Sequence, residues 1–273
     1  MENLETIIVP WDFSPSSDFA LQHAVNIAKI RGFSITVIHI IKAAKDEKKC
    51  IDKLNILAEQ NRESTGIPTY SRILSGNIYK CIRDQAALPG TALVVMKTDG
   101  IKGSQKYFGS RAIKMMRGSK IPFIVVQRPP LHNTFENIVL PVDYRTENKE
   151  LVSYLLHLSK FYSSKLHLFK VFTNDQIFKK HISNNLNFAK SMFEGKQISY
   201  EIANSKGTEN VDNEIINYAE QIKADLILIQ LQRNLTFTSF IFGVREQNII
   251  ANKYKVAVMC LNPKELTVYT GFR

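Results

Sequence analysis

The chain has 273 residues and is 44% hydrophobic, an ordinary globular composition able to bury one or two cores. Its longest apolar runs are strand-sized, far short of the roughly 20 residues that span a bilayer. The net charge of +11 is uneven, with 19 Lys/Arg against 11 Asp/Glu in residues 1–134 and 17 against 14 in 135–273. The basic residues spread along helices and do not cluster with aromatics, which argues for a solvated surface over nucleic-acid binding. Cys50, Cys81 and Cys260 are scattered, as free thiols in a reducing cytoplasm would be. The first strand begins too soon to leave room for a signal peptide.

Residues 5–10 read as an apolar strand. Ser14-Pro15 reads as a helix N-cap with Pro at the first helical position. Leu21, Ala24, Val25 and Ala28 then fall at helical spacing, and Gly32 ends the helix. A second strand spans 34–41 and a charged helix 45–62, with Ile51, Leu54, Leu57 and Ala58 as its apolar stripe. Strands at 68–74, 92–96 and 121–127 alternate with helices near 78–86 and 110–117. Pro129-Pro130-Leu131-His132-Asn133 reads as a linker.

The pattern then starts again. Ile7-Ile8-Val9-Pro10-Trp11-Asp12-Phe13-Ser14 is matched 131 positions later by Ile138-Val139-Leu140-Pro141-Val142-Asp143-Tyr144-Arg145. A repeat of that length is a whole domain. Strands are predicted at 137–142, 165–172, 198–203, 225–230 and 255–261, and helices near 147–162, 175–193, 209–222 and 243–252. The expected domains are 1–128 and 135–264, with a tail at 265–273. Near-continuous apolar strands alternating with helices predict a parallel, doubly wound α/β sheet in each copy. Ligands of such sheets bind beyond the carboxyl ends of the strands, where the winding reverses.

Asp12 ends the first strand. The loop after the fourth runs from Met96 through Lys97, Gly100 and Gly109 to Ser110, which opens a helix. Exposed N–H groups and the helix dipole favour an anion there, and glycine lets backbone approach it. Asp12 and Asp143 also read as loop caps at strand ends. His39, in an apolar strand, is expected to pack in the core, and Cys81, on an apolar helix face, to be buried and inert. The six histidines show no metal-ligand spacing, and no Gly-x-Ser-x-Gly elbow is present.

Val9-Pro10-Trp11-Asp12, His39-Ile40, the loop into Gly109-Ser110 and the strand Ile121-Pro122-Phe123-Ile124-Val125-Val126 together resemble the universal stress protein family, as two tandem copies. The resemblance implies a sheet of order 3-2-1-4-5 in each copy. It also implies a stress-response or regulatory role, with ATP and magnesium as ligands of some members. ATP binders of that family carry Gly-x2-Gly-x9-Gly-Ser/Thr after the fourth strand. Here Lys97 replaces the first glycine, and eight residues, not nine, separate Gly100 from Gly109. In the second copy Gln230 and Arg233 replace two glycines, and Val244 follows Gly243 in place of a hydroxyl.

The resemblance therefore implies no ATP at the second copy and weak or absent binding at the first. The site it implies consists of Pro10, Trp11, Asp12, Ile40, Met96, Lys97, Gly100, Gly109, Ser110 and Arg111. Asp12 would bond the nucleoside and the Ile40 backbone would face adenine. Gly100, Gly109, Ser110 and Arg111 would line the phosphates. Lys97 would either pair with a phosphate or fill the pocket. The family pairs its domains through the fifth strand, so an internal pseudo-dimer is expected, with Phe123–Val126 facing Val256–Met259, and a further homodimer stays open. A nucleotide-responsive protein and a ligand-free module that binds protein partners are the two readings preferred over an enzyme.

Overall fold

The structure, a computed structural model, describes residues 4–41, 47–98, 110–231 and 246–262. The chain divides into two compact units, Met1–Asn133 and Thr134–Arg273. The first contains β1 (Thr6–Pro10), α1 (Ser17–Arg31), β2 (Ser34–Ile41), α2 (Glu47–Thr65), β3 (Thr69–Ser75), α3 (Ile78–Ala86), β4 (Thr91–Lys97), α4 (Ser110–Arg117) and β5 (Phe123–Val126). The second contains β6 (Asn137–Val142), α5 (Asn148–Leu158), β7 (Lys165–Lys170), α6 (Gln176–Glu194), β8 (Tyr200–Asn204), α7 (Val211–Gln221), β9 (Leu226–Gln230), α8 (Glu246–Ile250) and β10 (Ala257–Leu261).

Strands of the first unit lie in the order β3-β2-β1-β4-β5, and those of the second in the order β8-β7-β6-β9-β10. Every pairing within a unit is parallel. Each unit is thus a doubly wound α/β domain, as the alternation predicts. Central strands carry unbroken apolar runs because helices cover both faces. Ile7, Val9, Ile35, Val37 and Val94 are fully buried in the first unit, and Val139, Leu140, Leu168, Ile227 and Leu228 in the second. The winding reverses between β1 and β4 in one unit and between β6 and β9 in the other. A crevice opens at the carboxyl ends of those strands.

Local signals set the helix ends. Gly32 closes α1 at φ 68°, donating its N–H to the Ala28 carbonyl. Asn77 caps α3 by accepting from the N–H groups of Tyr79 and Lys80, and Asp175 caps α6 by accepting from those of Ile177 and Phe178. α1 begins later than Ser14-Pro15 predicts, at Ser17. The Ser14 hydroxyl donates to Asp12 instead of capping the helix.

Two further expectations differ. His39 is half-buried, because its side chain lines an open cleft. Cys81 is half-buried too, since Ile82 and Ala86 supply the buried side of α3. Gly100, Gly109, Arg233, Gly243, Val244 and the tail at 265–273 lie outside the described residues. Among the described residues no helix is long and apolar enough to cross a membrane.

Candidate ligand cleft and its sealed counterpart

The β1 loop of the first unit is built around one carboxylate oxygen. Asp12 Oδ1 accepts from the Ser14 N–H at 3.0 Å, the Ser14 hydroxyl at 2.7 Å and the Ser17 hydroxyl at 2.6 Å. Ser17 Oγ in turn accepts from the Asp12 N–H at 3.3 Å. This is an Asx turn, in which a short acidic side chain takes the N–H two residues on and fixes the chain before the helix. Asp12 Oδ2 lies 2.9 Å from the Lys97 ammonium. Burial works against the charged carboxyl, but hydrogen bonds from Ser14, Ser17 and Lys97 outweigh it. They hold Asp12 well below the usual carboxylate range.

Lys97 reaches this loop from the end of β4 and bridges the two sides of the switch-point crevice. Besides Asp12, its Nζ donates to Ser14 Oγ at 2.7 Å and Ser16 Oγ at 2.9 Å. The sequence points to Lys97 and Asp12 but not to Ser14, Ser16 and Ser17. Their signal is the Ser-Pro-Ser-Ser run that follows Asp12-Phe13.

Beside the pair lies a cleft lined by Pro10, Trp11, Asp12, His39, Ile40, Ile78, Ile82, Met96 and Lys97, with about 490 Å³ of empty space including its open mouth. It therefore gathers Pro10, Trp11, Asp12, Ile40, Met96 and Lys97 from the expected site. Ser110 and Arg111 begin α4, and the exposed Arg111 does not line the cleft. His39, Ile78 and Ile82 are additions. Ile78 and Ile82 are four apart on α3 and so share a face, and Ile78 is 48% exposed. His39 Nδ1 lies 2.7 Å from the Trp11 carbonyl, so that nitrogen carries the proton, and its ring packs on Phe13 at 4.7 Å. Phe13 itself adopts φ 62°, an uncommon conformation for an aromatic residue.

The second unit repeats the turn and links the ends of β6 and β9 through an arginine. Asp143 Oδ1 accepts from the Arg145 N–H at 2.9 Å and from Asn148 Nδ2 at 2.9 Å, and Asn148 Oδ1 accepts from the Asp143 N–H at 3.3 Å. Asn148 thus does what Ser17 does. Asp143 Oδ2 accepts from Arg145 Nε at 2.6 Å and is also paired with Arg145 Nη2. Asp143 is 1% exposed and the Arg145 side chain 9%. The Gln230 amide, oriented by its hydrogen bonds, accepts from the same guanidinium at 2.8 and 3.2 Å. Asn185 of α6 donates to the carbonyls of Asp143 and Arg145. Burial opposes the charge of Arg145, but the carboxylates of Asp143 and Glu246 outweigh it and push its pKa up.

Each unit is a doubly wound α/β domain, and the first carries an apolar cleft at its switch point. Residues 3–127 match the model of the universal stress protein family. That match spans the first unit. The chain is similar over both units to a universal stress protein from Archaeoglobus fulgidus DSM 4304, at 17% identity and TM-score 0.74, covering 94% of this chain and 98% of that one. A functionally unknown protein from Pseudomonas aeruginosa PAO1 is similar at 16% identity and TM-score 0.69, covering 97% and 95%. A putative universal stress protein from Pseudomonas aeruginosa UCBPP-PA14 is similar at 15% identity and TM-score 0.68, covering 97% and 96%. At these identities the likeness is one of fold. Comparison with curated proteins finds no match.

Proposed function

We propose that this chain is a cytoplasmic stress-response protein that binds an adenine nucleotide weakly at its first unit and none at its second. It acts by changing its contacts with a protein partner, not by catalysis. The observation that carries the reading is the contrast between the two crevices. In the first, an apolar slot between Trp11, Ile82 and Met96 lies next to a polar rim of Asp12 and Lys97. Such a slot suits a flat base, and the rim suits hydroxyls and phosphate. In the second, a buried guanidinium occupies the rim.

Calorimetric titration of the full chain with ATP and magnesium tests this. The expected result is one site per chain with a Kd of roughly 0.1–1 mM, lost in Asp12→Ala. The alternative reading is an interaction module with both sites decayed. It is favoured by the bonds that hold Lys97 across the first crevice. Absence of heat at millimolar ATP, matched by absence of any ligand-induced shift in melting temperature, would select it.

A further inference from the structure

We infer that His167 makes the outer edge of the second unit, β8 and α7, loosen in acid. Its imidazole is the proton-sensitive member of a buried polar cluster that joins these two elements to the rest of their sheet. The first unit carries the same contact without a titratable group. The inference does not depend on nucleotide binding.

His167 lies in β7 and is 3% exposed. Its Nε2 is 3.1 Å from Asn137 Oδ1 of β6, an acceptor, so that nitrogen carries the proton. Its Nδ1, 2.8 Å from the Tyr218 hydroxyl of α7, therefore accepts. Glu201 of β8 stands opposite His167 in the sheet, with a carboxylate oxygen 3.7 Å from Nδ1, and is paired with Lys165 of β7. The neutral ring thus has both nitrogens satisfied. A proton on Nδ1 reverses the bond to Tyr218 and sets a cation in a buried site. The carboxylate that faces it is 54% exposed and already shared with Lys165. Burial prevails over Glu201, Lys165 adds to it, and the His167 pKa is held below its usual value.

The other ionisable groups around the ring keep their state as the pH falls from neutral. Burial and then Glu201 push the Tyr218 pKa up, so the phenol keeps its proton. Glu214, one turn before Tyr218 on α7, is held ionised by the β8–α7 loop. Asp225 accepts from the Asn137 N–H. A histidine whose folded pKa is lowered stabilises the fold above its unfolded pKa, and that contribution is lost as pH falls through the folded value. The loss falls on β8 and α7, because β8 ends the strand order and these two elements supply Glu201 and Tyr218. Elements at an edge open at lower cost than the centre of a sheet.

The first unit serves as the internal control. At the 131-residue offset Thr36 matches His167, Thr6 matches Asn137 and Tyr70 matches Glu201. The register is the same, for Thr36 lies between Ile8 and Tyr70 as His167 lies between Val139 and Glu201. The hydroxyls of Thr6 and Thr36 hydrogen-bond at 3.0 Å. That pair spans the same two strands and does not titrate near neutral pH.

Amide hydrogen exchange of the full chain at about pH 7.5 and about pH 5, corrected for intrinsic exchange rates, tests this. In the wild type, residues 200–221 are expected to lose protection several-fold in acid, in step with the NMR titration of the assigned His167 ring. Residues 69–86, their counterparts in the first unit, keep theirs. His167→Gln, whose amide supplies one donor and one acceptor without titrating, should hold its protection across the range. Retained protection of residues 200–221 in the acidified wild type, an equal loss in both units, or the same loss in His167→Gln would overturn the inference. The comparison between units and the ring titration use the wild-type chain alone, so they decide the matter even where the variant fails to fold.

Discussion

Asp12 and Asp143 each use one carboxylate oxygen to fix a turn, and they differ in what meets the other. Lys97 approaches Asp12 from across the crevice, whereas Arg145 approaches Asp143 from its own loop. The Asp143–Arg145 pair is buried, so removing one member strands a charge. Arg145→Ala is expected to destabilise the second unit by about 3–5 kcal/mol, against about 1 kcal/mol or less for Lys97→Ala at its more exposed partner. Urea unfolding of both variants measures the difference. Equal losses would show that the second crevice is not held by its ion pair. The repeat alignment makes the two aspartates legible, and even sets Arg145 opposite Ser14. It does not reveal the seal, because that depends on side chains from β9 and α6 meeting the β6 loop, contacts between residues 40 and more positions apart.

Strands and helices are the most legible part of the molecule. Each strand is a short apolar run and each helix an apolar stripe, and their ends carry local signals such as Gly32, Asn77 and Asp175. Boundaries shift where a cap has another task, as at Ser14. The loop between β8 and α7 shows a device that no spacing announces. Glu214 of α7 accepts from the N–H groups of Lys206, Thr208 and Glu209 and from the hydroxyls of Ser205 and Thr208. The loop can curl back because Gly207 adopts φ 69°. Burial works against the Glu214 charge, but the Ser205 hydroxyl and the N–H groups prevail, and its pKa falls from 4.5 to about 2. A depressed carboxyl stabilises the fold above its unfolded pKa, and the contribution is lost as pH falls through the folded value. Glu214→Gln is therefore expected to lower stability at about pH 6, with the gap to wild type closing as pH falls from 4.5 towards 2. Denaturant melts across that range check it, and a gap independent of pH would contradict it.

At the scale of the whole molecule, one fold is used twice with opposite results at its switch point. The doubled fold is legible in the 131-residue offset, because that offset carries strand, turn and helix together. The apolar half of the cleft is less so. Ile78 and Ile82 read as an ordinary helix stripe until the sheet order sets α3 beside the ends of β1, β2 and β4. The sequence substitutions at Lys97, Gln230 and Arg233 foresee weakened phosphate loops. They do not distinguish a cleft that is spanned by a lysine from β4 from strand ends that are linked by an arginine of the β6 loop.

Nucleotide binding at the first unit and none at the second remains the proposal to be tested. Trp11, the single tryptophan, lines the first cleft and is 8% exposed, so its emission reports that cleft alone. The most direct measurement is a titration of the full chain with ATP and magnesium that follows Trp11 fluorescence beside calorimetry. The account predicts a saturable fluorescence change whose midpoint coincides with the calorimetric one, at one site per chain. Calorimetric binding with unchanged Trp11 emission that survives Asp12→Ala, or no binding by either method at millimolar ATP, would contradict it.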